Sequence, residues 1–231
     1  IVVRSVNGPI SRWTDLSSQV KTLAGVESVS AFTYHQALIR SDNRSSGLLI
    51  RGVEPGSAAE GQLEGQLTKS SSLELLRNPP TVAVLNADGV SEDVKLPGLI
   101  VGQELARLLG LYAGDAVSLL SPQVNSTPFG LMPRFKRFVV AGFYKGLVEY
   151  ESSVAYAPLN DAQSFFQMGD AVSGLEVRLT DIYEAPSISQ KIVELGASSD
   201  PGIYAQAWTE TNKPLWDAMR LEKHVYFIVL L

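Results

Sequence analysis

Histidines, cysteines and paired carboxylates at suitable spacing would signal metal, nucleophilic or acid–base chemistry, and this chain offers few of them. Cysteine is absent from all 231 residues, which removes disulfides, thiolate zinc sites and cysteine nucleophiles together. The two histidines, His35 and His224, stand far apart, and neither has another histidine nearby. His35 falls in a strand-like run and reads as a surface or hydrogen-bonded core residue rather than a metal ligand. Glu149 and Glu151 are the candidate acid–base pair. In a strand both would point to one face, but Tyr150 between them and Ser152-Ser153 after them fit a solvated strand edge. Gly52-Val53-Glu54-Pro55-Gly56-Ser57 is loop-like, yet no Gly-Lys-Ser/Thr follows, so it is not a phosphate loop. No Gly-x-Ser-x-Gly elbow occurs. The residues nominate no nucleophile, base, metal ligand or cofactor.

Composition narrows the class of partner. Apolar residues make up 45% of the chain, enough to bury a substantial core in one large domain or two small ones. The net charge is −5, and no basic stripe interleaved with aromatics appears, which argues against nucleic acid.

The most distinctive segment is Ser121 to Pro133, between the strand-like runs Ala116–Leu120 and Arg137–Phe143. A hairpin closes with two to five residues, so this connection is far longer than closure requires. Pro122, Pro128 and Pro133 each fix their own φ and restrict the residue before them. Gly130 permits a sharp turn. Phe129, Leu131 and Met132 sit where a solvated loop is ordinarily polar. Two readings follow: a stiffened protrusion that grips another molecule, or a mobile loop with its apolar residues folded back.

The elements around it alternate. Residues 1–6 read as a strand. Ser11 caps a helix with Trp13, Leu16, Val20 and Leu23 on one face, and Gly25 ends it. Val26–Arg40 and Gly47–Val53 read as strands. Pro55 to Lys95 predicts short helices and loops, with Thr81–Leu85 a candidate strand. Leu99–Val101 is a short strand. Leu105, Ala106, Leu108 and Leu109 form the apolar face of a short helix that Gly110 stops. Ser153–Ala157 reads as a strand, and Asn160 caps a helix through Phe166. Leu175–Leu179 alternates as a strand, Pro186–Leu195 is helical, Gly202–Trp208 is a strand, and Thr209–Leu221 is a helix. The expected fold is α+β. Residues 1–95 and 170–220 make one α+β subdomain from both chain ends, and residues 96–169 form an inserted β-rich subdomain carrying a long hairpin. The closing run Val225–Leu231 is apolar throughout. It reads either as a buried strand or as the continuation of the preceding helix.

A set of short motifs carries a family resemblance. Leu96-Pro97-Gly98-Leu99-Ile100-Val101-Gly102-Gln103-Glu104-Leu105-Ala106-Arg107-Leu108-Leu109-Gly110-Leu111 is followed by Gly114-Asp115-Ala116-Val117, Ser121-Pro122, Thr127-Pro128-Phe129-Gly130 and Pro133. Asp161-Ala162-Gln163, Met168-Gly169, Val172-Ser173-Gly174 and Leu221-Glu222-Lys223 come later. In this order and spacing they resemble the periplasmic domain of LolC/LolE permeases, the membrane subunits of a lipoprotein-releasing ABC transporter. The resemblance covers most of the chain and is densest over residues 96–178.

The resemblance implies a MacB-like periplasmic domain, with a porter-like subdomain interrupted by a β-rich one, lying between the first two of four transmembrane helices. Residues 221–231 would then begin a membrane span, and the protein would sit in a bacterial inner membrane with this domain in the periplasm. The implied partners are a cytoplasmic LolD-like ATPase, a second permease subunit, the lipoprotein substrate and a periplasmic LolA-like chaperone. ATP hydrolysis would belong to the separate ATPase, so this chain is not expected to be an enzyme. In LolC-type members a hook recruits the chaperone. The matching positions are Pro122, Thr127, Pro128, Phe129, Gly130, Leu131, Met132 and Pro133, with Ser118, Phe135 and Lys136 at the supporting patch. The hook resembles the LolC type, and the Asp161-Ala162-Gln163 and Val172-Ser173-Gly174 region the LolE type. That mixture suits a single permease working as a homodimer. The rival readings are a MacB-like efflux or mechanotransmission permease that binds an adaptor, and a secreted hydrolase with an unrecognised site.

Overall fold

The computed structural model describes residues 1–41, 44–85, 91–127 and 130–211. In chain order its elements are β1 (Val2–Ser5), α1 (Trp13–Lys21), β2 (Val26–Ser41), β3 (Arg44–Val53), α2 (Ala58–Glu64), α3 (Leu73–Arg77), β4 (Val82–Leu85), β5 (Ser91–Val94) and β6 (Gly98–Gly102). Then follow α4 (Gln103–Leu109), β7 (Ala116–Thr127), β8 (Gly130–Tyr144), α5 (Val148–Glu151), β9 (Val154–Pro158), α6 (Leu159–Phe165), β10 (Gly174–Leu179), α7 (Ala185–Ala197), β11 (Ile203–Gln206) and α8 (Trp208–Thr211). The fold is α+β. The expected helix over 209–221 falls largely outside the described residues. His224 and the apolar run 225–231 lie wholly outside them. Among the described residues, no helix is long and apolar enough to cross a membrane.

By packing, the chain divides into Ile1–Val29 with Gly174–Leu231, and Ser30–Ser173. In the first unit β1 lies between β10 and β11, antiparallel to both. The pleat sends Val3, Leu175 and Val177 to a buried face, with Leu16 and Val20 of α1 and Ile188 and Ile192 of α7 also buried. Gly196 has no side chain where Ile203 of β11 sits against α7. Helix α1 starts at Trp13 with Arg12, not Ser11, at its cap, and it ends at Lys21, short of Leu23.

The second unit closes on itself. β2 pairs with β3, β3 with β9, β9 with β6, β6 with β8, β8 with β7, and β7 returns to β2 through Leu38, Ile39 and Arg40. Such a ring has no free edge where it is complete. Its interior holds Ile39, Ile50, Leu99, Val101, Leu119, Phe138, Val140 and Ala155, packed with Leu105 of α4 and Phe165 of α6. Each fully buried Leu, Ile or Phe contributes about 1.5–3 kcal/mol relative to exposure. A second cluster joins Val53, Leu63, Leu73, Leu76, Ile100 and Tyr144, where α2 and α3 cover the outside. Residues 30–95, which the sequence reading assigned to the part built from both ends, pack with 96–173. The cause is the pairing of β2 and β3 with β7 and β9.

Candidate docking hairpin

Pleat parity sorts the residues of β7 and β8. Val117 and Leu119 point into the core with Phe138, while Ser118 and Leu120 take the opposite face with Arg137 and Phe135. The segment expected to be a loop is paired strand. Val124 lies opposite Pro133, Asn125 opposite Met132, Ser126 opposite Leu131, and Thr127 opposite Gly130. Pro128 and Phe129 lie outside the described residues. Alternation of backbone donors and acceptors carries the ladder this far, despite Pro122 and Pro133.

A bulge marks where the hairpin leaves the ring. Ser121, Pro122 and Gln123 of β7 stand against Arg134 alone on β8, between the pairs Leu120–Phe135 and Val124–Pro133. Pairing of β7 with β2 stops at Leu120. Pro122 is the next residue of its parity and has no N–H to continue that ladder. Among the described pairings, the hairpin beyond it is two-stranded. Where β2 and β7 part, a groove of ≈ 310 Å3 opens between Gln36, Leu38, Leu120 and Pro122. The Arg134 guanidinium donates to the carbonyls of Ser164 (3.1 Å) and Phe165 (3.4 Å), anchoring the base of β8 to the last turn of α6.

The candidate positions separate. Pro122 and Pro133 are exposed at the two sides of the hairpin base. Ser118 is half-buried, and Phe135 on the same face is 69% exposed. Lys136 takes the other face. It pairs with Asp161 of α6 at 3.2 Å and lies over the Phe138 ring at 5.5 Å, so its charge is engaged within the unit.

The residues considered for chemistry have structural partners. Glu149 and Glu151 are on the short helix α5, not a strand. Glu151 is buried and accepts the Gly146 N–H at 2.6 Å, whereas Glu149 is exposed. His35 Nε2 lies 3.1 Å from both Ser173 Oγ and Met168 Sδ, with its ring 4.7 Å from that of Phe166. Burial holds its pKa below the usual histidine range. Burial, with Tyr156 and Glu151 nearby, pushes the Tyr144 hydroxyl far above the ordinary tyrosine value. Tyr144 donates to the Tyr150 and Val154 carbonyls. Gly52–Ser57 runs from β3 to the N-cap of α2. Among the described residues, no group of three or more His, Cys, Asp or Glu side chains could hold a metal ion.

No family model matches the chain. It is 26% identical over 222 residues to the lipoprotein-releasing system transmembrane protein LolC of Neisseria meningitidis serogroup B, covering 94% of this chain and 48% of the relative. It is 21% identical to the LolE protein of the same system from Haemophilus influenzae, over 96% of this chain and 49% of the relative. The chain thus spans about half the length of the curated relatives it matches. Among solved structures, it matches the extracellular domain of the noncanonic ABC-type transporter YknZ from Gram-positive bacteria with a TM-score of 0.58 at 12% identity, over 89% of this chain and 98% of that one. The periplasmic region of MacB from Actinobacillus actinomycetemcomitans gives 0.58 at 12% identity, over 93% and 91%. The chain is therefore LolC/LolE-like in sequence along nearly its whole length, on the fold of the YknZ and MacB domains.

Proposed function

We propose that this chain is the periplasmic part of an inner-membrane ABC transporter permease that releases lipoproteins and passes them to a periplasmic chaperone. The supporting observation is its similarity to LolC over nearly all of its length, together with a long β7–β8 hairpin that continues past the ring. The chain's role is docking and coupling, not catalysis. The energy comes from a LolD-like ATPase on the cytoplasmic side, and the permease pairs with a second subunit of its own or a related kind. Residues Pro122 to Pro133 are the hook, and Phe129, Leu131 and Met132 supply its apolar anchors. The prolines restrict the hairpin before binding, which lowers the ordering cost.

A pull-down of the matching LolA-like chaperone with wild-type and tip-deleted chains tests this. Binding is lost on deletion of the tip while the circular dichroism spectrum is kept. Equal capture by both forms removes the hairpin from the mechanism. The efflux reading draws on the likeness to the MacB fold. A nucleotide-binding domain fused to this chain in the complete gene would favour it.

A further inference from the structure

Asn7-Gly8 is the chain's single Asn-Gly pair. It lies in the exposed turn just after β1. The Asn7 backbone N–H donates to Ser5 Oγ at 3.1 Å, and its side-chain amide donates to Asp200 Oδ1 at 2.7 Å. Asp200, just before β11, also accepts the Gly202 N–H at 2.8 Å. Hydrogen bonds from Ser5, Gly202 and Asn7 hold its carboxyl below the usual aspartate range, so it meets the amide as an anion. Gly202 fits close, since a Cβ there would strike the Asn7 amide. One neutral amide thus ties the end of β1 to the start of β11, beside their last pair, Ser5 and Ile203. Gly8, by contrast, is little held. Its φ is +108°, nothing lies within 4 Å of the Cβ it lacks, and its N–H reaches the Ser5 carbonyl only at 3.4 Å.

We propose that Asn7 is a site of spontaneous deamidation, held in check by Asp200, and that its product opens the β1–β11 junction. The Gly8 nitrogen is the nucleophile and Asn7 Cγ the electrophile. The N–Cγ bond forms, the Cγ–Nδ2 bond breaks, and the amide leaves as ammonia with the Gly8 proton. Water then opens the resulting succinimide. Its hydroxyl goes to one carbonyl carbon and its hydrogen to the ring nitrogen, which yields aspartate or isoaspartate with nothing oxidised or reduced. Ring closure requires the Asn7 side chain to swing toward Gly8, and the charge-assisted bond to Asp200 opposes that rotation. A side chain at position 8 would crowd the approach, and glycine offers none. The product sets a carboxylate where an N–H donor faced the Asp200 carboxylate, so attraction becomes repulsion between like charges. Isoaspartate also lengthens the backbone of the turn by one methylene. No step rests on the docking function.

Prolonged incubation of the chain in neutral buffer at physiological temperature, followed by peptide mapping and mass spectrometry, tests the proposal. Aspartate and isoaspartate are expected at position 7 ahead of every other asparagine. Asp200→Ala removes the tie and should speed the conversion about threefold or more. Asn7→Asp makes one product directly and should melt at a lower temperature than wild type. Adding Asp200→Asn to it should shrink that loss, because the opposing charge is gone. Circular dichroism of the fresh variants separates release of the tie from general unfolding. If Asp200→Ala is unfolded, Asp200→Asn is read in its place, with a smaller acceleration expected. An Asn7 that stays intact in the wild-type chain overturns the proposal, as does conversion at one rate with and without the Asp200 carboxylate. If Asn7→Asp melts as wild type does, the opening of the junction is overturned.

Discussion

A methyl group at Gly102 has no room. A Cβ there would run into the backbone of Glu151, where α5 rests on the start of α4. Gly102→Ala should therefore lower stability by about 1–3 kcal/mol, read as a shift in denaturant midpoint with an unchanged slope. Gly61 is its counterpart, exposed in helix α2 with open space around it, and Gly61→Ala should stabilise by about 0.5–1 kcal/mol in the same titration. His35 supplies a pH dependence. Its folded pKa lies below the ordinary 6.5, so the unfolded chain binds the proton more readily. The stability it contributes is complete above 6.5 and is lost as pH falls through the lower folded value. His35→Gln should flatten that part of the stability profile measured by urea unfolding. The strand that holds His35 was legible from its own residues, but its partners were not, because Met168 and Ser173 arrive from much later in the chain.

At the scale of the element, short helices here depend on their caps. Ser57 Oγ accepts the Glu60 N–H, and the Glu60 carboxylate accepts the Gly56 N–H at 2.6 Å while pairing with Arg77. Ser57→Ala should cost about 1 kcal/mol, seen as a lower melting temperature without loss of fold. The Ser-x-x-Glu spacing of Ser57 and Glu60 was readable as a helix start, but the glycines and proline before it suggested only a loop. The strands on either side of the hairpin were legible from apolar alternation. Its continued pairing through Thr127 and Gly130 was not, because prolines and glycine argue locally for a loop and a ladder depends on the strand opposite. Arg40 was illegible as a neighbour of Ser118 for the same reason: nothing local encodes the β2–β7 register.

For the whole molecule, the unit Ser30–Ser173 begins and ends at one place, since the Ser173 N–H donates to the Phe32 carbonyl at 2.9 Å. With adjoining ends and its own core, residues 30–173 expressed alone should unfold cooperatively in a thermal melt monitored by circular dichroism. A broad, non-cooperative melt would show that the ring needs the rest of the chain. The sequence conveyed the α+β class. It did not convey that the ring recruits β2 and β3, because closure is a property of long-range pairing. The bulge at Pro122 has a last consequence, for the protein at high concentration. Once β7 has left β2, the hairpin offers its outer backbone to any chain that meets it, including its own copies. Pro122 and Pro133, exposed at its base, withhold the donors that a second strand would need, so the ribbon resists zipping into fibres. Pro122→Thr/Pro133→Val should bring concentration-dependent oligomers in sedimentation velocity, whereas the wild-type chain stays at one size.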